Sequence, residues 1–416
     1  MKKMEISEGD VLRVEGSLVI QVSKGEVTIS GGLHGEGEKV EIPKAKSLPL
    51  EALTDAVIEY KKEEGGEIEH LPERTIPPEW DSLVEEIIEK KPKTIIVMGQ
   101  VDTGKTFFTT YVANSLLRHE MKSAVVDTDI GQSDVGPPGT IGMGIVDKPI
   151  SLMTDVQTQD SYFVGSMSPS GHMLEFMVGM KKVAERGLEK SDLVIVDTPG
   201  WVFGGPGRAL QLYGAELLEP DLVVALQREN ELEHLLKSMP SQVRRISVSE
   251  KVRERSKSER SFLRQETLSK YFDGSKELNL DLEKVRLERC YLGTGEEINP
   301  DDLGVEGVLH AEEILEGLVI VTESKLSEED IQALKNEYGK IIEIKKGSEK
   351  HVLVSLIDEN NDLLSVGLIN EINYEEKKLS VITPIQNGGL VSAIQIGSMK
   401  IKPNGEEIGT VRPGSF

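Results

Sequence analysis

Eight consecutive residues, Gly99, Gln100, Val101, Asp102, Thr103, Gly104, Lys105 and Thr106, fit the pattern G-x-x-x-x-G-K-[ST]. Glycines at those places let a backbone wrap a phosphate chain with successive N–H groups pointing inward. A helix starting there adds the partial positive charge of its N-terminus. Lys105 would reach the β- and γ-phosphates, and the Thr106 hydroxyl would ligate Mg²⁺. The chemistry such a loop offers is the grip of a nucleoside triphosphate.

Carboxylates stand where a triphosphate would need them. Asp127 and Asp129 follow an apolar run, in Val125-Val126-Asp127-Thr128-Asp129-Ile130-Gly131-Gln132. Were the strand to continue to residue 129, both would share one face. Both then enter the candidate metal set with Thr106, and one could instead accept a proton. The alternative is a pair of solvated turn aspartates. Asp197 closes another apolar run, Val194-Ile195-Val196, ahead of Thr198-Pro199-Gly200-Trp201. An acidic residue there is the usual second Mg²⁺ contact, often through water. Asp-Thr-Pro-Gly also occurs in GTPases. The Asn- or Thr-Lys-x-Asp segment of a guanine reader is missing, which argues against GTP.

Trp201 is one of two tryptophans. On a loop at the mouth of a phosphate site it could stack a base or plug the loop against the core. The turn Ser166–His172 reads as polar, with His172 satisfied locally. The other histidines show no metal-ligand spacing, so zinc is not expected. Residues 237–270 hold ten Lys or Arg against four Glu. Within them Arg253, Arg255, Arg260 and Arg264 lie in a segment of helical propensity. Arg260 and Arg264, at i and i+4, share a face. Arginines there could offset charge on a transferring phosphoryl group or hold a nucleic-acid phosphate. Glu250, Glu254, Glu259 and Glu266 could equally make the segment a solvated helix.

These residues need elements to hold them. Thr94–Met98, Ser123–Val126, Leu193–Val196 and Leu222–Ala225 are continuous apolar runs, suited to strands covered on both faces. Helical spacing over Ser82–Lys91 and Phe107–Glu120 supplies the cover. The pattern predicts a parallel sheet with crossovers, whose ligands bind beyond the carboxyl ends of the strands. Before it, residues 1–60 read as short strands punctuated by glycine. Lys61–Trp80, rich in charge, glycine and proline, reads as a linker. After Pro300 the texture returns to β, with strands over Leu318–Thr322, Val352–Ile357, Leu379–Thr383 and Val391–Ile396 and one helix over Ser327–Tyr338. The expected division is a β domain over 1–75, a P-loop domain over 76–299 with an arginine-rich lid at about 237–270, and a mainly β domain over 300–416.

Composition narrows the function. The 416 residues carry 48 Lys and Arg against 72 Asp and Glu, a net charge of −24. A chain this acidic does not coat a polyanion, so a nucleic-acid partner needs a local basic patch. The single cysteine, Cys290, excludes an intrachain disulfide and a Cys-rich zinc site. No apolar run approaches the ~18 residues of a membrane span, and the N-terminus lacks a signal-like apolar stretch. A cytoplasmic protein is expected.

In this order the motifs resemble those of the polynucleotide 5′-hydroxyl kinases. That group includes archaeal RNA/DNA kinases and the RNA kinase subunit of tRNA-splicing and mRNA-cleavage complexes. The resemblance rests on Gly99–Thr106, Asp127-Thr-Asp129-Ile-Gly131-Gln132, Pro137-Pro138-Gly139-Thr140, Gly165–Pro169, Thr198-Pro199-Gly200-Trp201, and Arg255-Ser256 with Arg260 and Arg264. It implies a P-loop α/β core flanked by small β domains. It implies that Asp129 is the base on the 5′-hydroxyl and that Thr198, Gly200 and Trp201 clasp the terminal nucleotide. Gln132 would position the acceptor, and Arg255, Arg260 and Arg264 would close over ATP. Asp197 stands where several relatives carry Asn. The expected function is ATP- and Mg²⁺-dependent (or other divalent cation) transfer of the γ-phosphate to the 5′-OH end of RNA or DNA, with RNA-processing protein partners and no membrane. The alternatives are an ATP-binding scaffold subunit without turnover and a P-loop NTP hydrolase.

Overall fold

The computed structural model describes residues 1–44, 46–239, 242–249, 251–252 and 256–416. At its centre lies a seven-stranded sheet, in the order 158–163, 140–146, 123–127, 193–197, 94–99, 222–227, 242–247. Strands Ser123–Asp127, Leu193–Asp197, Thr94–Gly99, Leu222–Gln227 and Gln242–Ser247 run parallel. Thr140–Val146 and Thr158–Phe163 extend the sheet antiparallel. The expected parallel sheet thus carries two antiparallel strands at one edge. The two extra strands form a hairpin-like pair, which needs no helical crossover between its members.

The apolar runs are continuous because both faces are covered. Ile95, Val97, Val125, Ile195 and Val224 pack under the helices Pro78–Lys90 and Lys105–Leu117, among Trp80, Phe108 and Val112. Ile96, Met98, Val126, Val194, Val196 and Val223 face the helices Met173–Leu188 and Gly204–Leu218, among Phe176, Met180 and Leu210. Each such fully buried side chain stabilises the core by about 1.5–3 kcal/mol. The pairing register puts Asp197 level with both Val97 and Asp127. The carboxyl ends of the three central strands thus finish on one line, and the loops carrying the motifs all leave from that edge.

The N-terminal residues form two sheets, of four and five strands, around Leu12, Val14, Leu18, Ile20 and Leu50. Most of the expected linker belongs to them. Ala56–Lys62 is a strand of the first sheet, and Glu67–Leu71 pairs antiparallel with Val11–Glu15 as an edge of the second. Its charge-rich composition is that of an exposed edge, which sequence alone does not separate from a linker. This β unit is fastened to the P-loop helix. The buried Asn114 amide donates to Ser30 O (2.9 Å) and Ile150 O (2.7 Å) and accepts from Ile150 N (3.0 Å). At Gly31, φ is +77° and a Cβ would lie 2.7 Å from the Tyr111 ring, so only glycine fits that approach.

The C-terminal sheet begins before residue 300. Lys276–Asp281 pairs with Lys378–Thr383, and Arg286–Glu288 with Ala393–Ile401. A separate four-stranded sheet carries the helix Glu328–Tyr338, capped by Ser327 accepting from Asp330 N (3.0 Å). Among the described residues no helix is long and apolar enough to cross a membrane.

The basic segment does not form one detached lid. Gln242–Ser247 is the edge strand of the central sheet. Lys257–Phe272 is a helix, started by a reciprocal cap in which Ser256 Oγ accepts from Glu259 N (3.2 Å) and Glu259 accepts from Ser256 N (2.7 Å). Its Leu268 and Phe272 are buried against Leu353, Val366, Leu368, Met399 and Ile401 of the C-terminal sheet. The helix is therefore anchored at its far end.

Candidate active site

The P-loop leaves its strand at Gly99 and enters its helix at Lys105, turning through Asp102 (φ 57°) and Gly104 (φ 82°). Thr103 Oγ1 donates to Gln100 O (2.9 Å). The buried Lys105 Nζ donates to Gln100 O (2.9 Å). Burial lowers the Lys105 pKa, against the pull of Asp197, Asp129 and Asp102. One cation therefore lies within electrostatic reach of three carboxylates at the sheet edge. Each is costly to bury alone, and their mutual attraction offsets part of that cost.

Thr106 and Asp197 meet directly, the hydroxyl donating to Asp197 Oδ2 at 2.6 Å. The other oxygen, Oδ1, is buried without a hydrogen-bond partner among the described residues. Burial pushes the Asp197 carboxyl up to about 6, with Lys105 and the Thr106 bond opposing it. An orphaned carboxylate oxygen beside a hydroxyl is a hard oxygen donor set. It suits Mg²⁺, which takes one or two protein oxygens and completes its shell from phosphates and water. The residues fit the ion.

The Asp127–Asp129 pair differs from the expectation. The strand stops at Asp127, so the two do not share a strand face. Asp127 Oδ1 accepts from Asp129 N (2.9 Å), and Oδ2 from Asp134 N (2.6 Å) and Val135 N (3.2 Å). Its carboxylate braces the loop, although burial and the neighbouring Asp134, Asp197 and Asp129 raise its pKa well above the usual value. Asp129 is the carboxylate left facing Lys105. Its pKa is raised by burial, while Lys105 and the Gly131 N–H (3.2 Å to Oδ1) hold it down. Gln132 follows in the same turn, its N–H donating to Asp129 O (2.9 Å).

The Thr198–Trp201 segment passes beside the P-loop. A Cβ on Gly200 would lie 2.5 Å from Val101 N, so the approach requires glycine. Thr198 Oγ1 is buried and donates to Val97 O (2.8 Å), pinning the two strand ends together. Trp201 is half-buried over Gly207, where a Cβ would lie 2.9 Å from its indole. Part of the ring therefore packs and part remains open to a ligand.

Of the expected lid arginines, Arg260 reaches the P-loop, its Nη1 donating to Asp102 Oδ2 (2.9 Å). Arg264, one turn on, donates instead to Glu407 Oε1 (2.8 Å) in the C-terminal sheet, because the same helix face spans both units. Arg255, like Arg253, lies outside the described residues. A further arginine joins the site without having been singled out. Arg228, at the end of its strand, donates from Nη2 to Asp102 O (2.9 Å). Its position after an apolar strand at the same sheet edge was the one available signal. His172 is buried with Nε2 2.6 Å from Ser398 Oγ, at the seam with the C-terminal sheet.

Comparison with known proteins agrees with this architecture. Residues 99–274 match the family model described as mRNA cleavage and polyadenylation factor CLP1 P-loop. A polyribonucleotide 5′-hydroxyl-kinase of Pyrococcus abyssi is 35% identical over 324 residues, 77% of this chain and 91% of the relative. One of Methanocaldococcus jannaschii is 31% identical over 326 residues, 77% of this chain and 90% of the relative. A solved wild-type Clp1p–Pcf11p complex matches with a TM-score of 0.65, covering 96% of this chain and 97% of that one, at 14% identity. That last likeness is one of fold.

Proposed function

The chain belongs to the polyribonucleotide 5′-hydroxyl-kinase family, and from that premise we infer that it transfers the γ-phosphate of ATP to the 5′-hydroxyl end of RNA. The observation that carries the reading is the shared pocket of Lys105, Asp129 and the Thr106–Asp197 pair. A phosphate drawn into the loop replaces Gln100 O as the partner of Lys105. Thr106 and Asp197 would hold Mg²⁺, which when bound would neutralise charge on the triphosphate.

Asp129 orients the acceptor 5′-hydroxyl and takes its proton. Burial raises its pKa, and a carboxylate with a raised pKa is a stronger base than an exposed one. The 5′-oxygen forms its bond to the γ-phosphorus as the bond to the β,γ-bridging oxygen breaks, and ADP leaves. Arg260 is placed to offset charge on the transferring group once it exchanges Asp102 for phosphate. Gln132 and the exposed part of Trp201 hold the acceptor end, while Thr198 and Gly200 hold the clasp loop itself against the P-loop. Asp127 serves by bracing the turn that carries Asp129. Positioning and electrostatics then supply most of the acceleration.

The test is γ-labelled ATP with a 5′-hydroxyl oligoribonucleotide, and separately the same sequence as DNA. Label on the RNA is the expected result. Label released only as free phosphate makes the chain an NTP hydrolase, and bound nucleotide without any transfer makes it a scaffold.

A further inference from the structure

The clasp loop does not end at Trp201. Val202 is buried in the core, and Phe203 emerges on the other side of it with 53% of its surface exposed. Phe203 has extended dihedrals (φ −107°, ψ 163°) where it caps the Gly204–Leu218 helix. Trp201 and Phe203 thus flank the buried Val202 as two aromatic residues of one loop.

Phe203 is not merely stranded in water. Its ring stacks on His234, with centroids 5.5 Å apart and planes 12° from parallel. The imidazole is fixed in turn, since Nε2 lies 2.9 Å from Val202 O and so carries its proton there. Arg208 stands alongside, donating from Nη2 to His234 O at 3.5 Å. No carboxylate among the described residues lies within ion-pair distance of it. A hollow of about 550 Å³ opens next to it, lined in part by Arg208, Tyr213, Glu216 and Met239. In a chain of net charge −24, an exposed aromatic ring beside a cation that no described carboxylate pairs with is a combination that binds single-stranded nucleic acid: a face for a base and a charge for its phosphate.

We propose that Phe203, held by His234 and flanked by Arg208, is a second stacking platform that takes a base of the acceptor strand downstream of the terminal nucleotide. The proposal rests on the kinase reading for the nature of the strand, and it places the strand's path along the start of the Gly204–Leu218 helix. The rim of this path offers one phosphate contact, through Arg208. The acidic remainder of the surface then explains itself, since only the first few nucleotides need be gripped.

The experiment uses the full chain and a fluorescent 5′-hydroxyl hexaribonucleotide, with dissociation read by anisotropy and KM read by transfer. Phe203→Ala is expected to weaken hexanucleotide binding roughly 5- to 150-fold, the range of one lost base stack. The ratio of KM for the hexanucleotide to KM for a nucleoside 3′-phosphate should rise by the same factor, and Phe203→Trp should restore it. Hexanucleotides with a single abasic residue then locate the base: at one position downstream of the first, the abasic strand and Phe203→Ala weaken binding by the same amount and do not add. Arg208→Gln should lower the slope of log affinity against log salt by about 0.7, one phosphate contact on a single strand. Equal effects of Phe203→Ala on mononucleotide and hexanucleotide, or no effect on either, overturn the proposal. Binding that depends on Phe203 without any label transfer leaves the platform standing and overturns the kinase reading instead.

Discussion

The two halves of the site are built from opposite materials. The donor half is enclosed and charged: Lys105 and Asp197, buried, and Asp129 and Thr106, partly buried, sit at the carboxyl edge of a central sheet, each partnered by another or by the backbone. The acceptor half is open and aromatic: Trp201 half-covered, Phe203 mostly exposed, both on one loop. A triphosphate is the same at every turnover, so a rigid low-dielectric cradle suits it, and electrostatics inside it are strong. An RNA end varies in sequence, and every base has a π-face, so stacking grips any of them. Substitutions in the first half should therefore change the chemical step, and substitutions in the second should change only the hold on RNA.

The harshest test of that division is Lys105→Ala. Transfer should fall by roughly a thousandfold or more, since the residue acts on the transferring group, with oligonucleotide binding unchanged by anisotropy. Turnover within tenfold of the parent would remove the loop from the mechanism. Next is Asp129→Asn, expected to slow single-turnover transfer by about 10²–10⁴-fold with ATP affinity kept. A collapse of ATP binding would make Asp129 a metal or structural group. Its pH signature has a definite sign. Burial raises the Asp129 pKa, so the base is protonated, and transfer lost, as pH falls through a value above the usual carboxylate range. The asparagine variant should lack that limb in a rate–pH profile.

Trp201→Ala should raise KM for the oligonucleotide roughly tenfold and leave KM for ATP alone. An equal rise in both would make the indole a plug for the loop. The smallest effect is expected from Arg264→Gln. Its half-exposed pair with Glu407 contributes about 0.2–1 kcal/mol, which calorimetry should register as a slight drop in Tm, with transfer changed less than about threefold. A loss as large as that of Arg260→Gln would mean the whole helix face turns toward the nucleotide during the reaction.

The donor half was legible because its signal is local. A P-loop is eight adjacent residues, and an apolar run ending in aspartate is five or six. What stayed hidden depends on where distant segments meet. Nothing in Asp127 itself says that three backbone N–H groups of its own loop occupy it. Arg260 and Arg264 look equivalent at i and i+4, yet one meets Asp102 and the other Glu407. Glu67–Leu71 reads as linker because the strand it pairs with lies more than fifty residues earlier. Arg228 became a site residue only when the sheet order set its strand beside the P-loop strand. Side-chain type shows what a group can bind, and topology decides which partner arrives.

The fastening between the phosphate-binding helix and the N-terminal β unit has a practical consequence for anyone wishing to trim this protein. Asn114 and Tyr111 lie one to three turns beyond Lys105, on the flank of the same rod. Cut away the first 75 residues and the amide loses Ser30, Gly31 no longer shields the phenol ring, and Arg74 vanishes from beside Asp81. The domain that carries none of the nucleotide-binding motifs is the bedplate on which the clamp for nucleotide is bolted. A minimal kinase carved from the central sheet alone would keep every motif and lose its alignment.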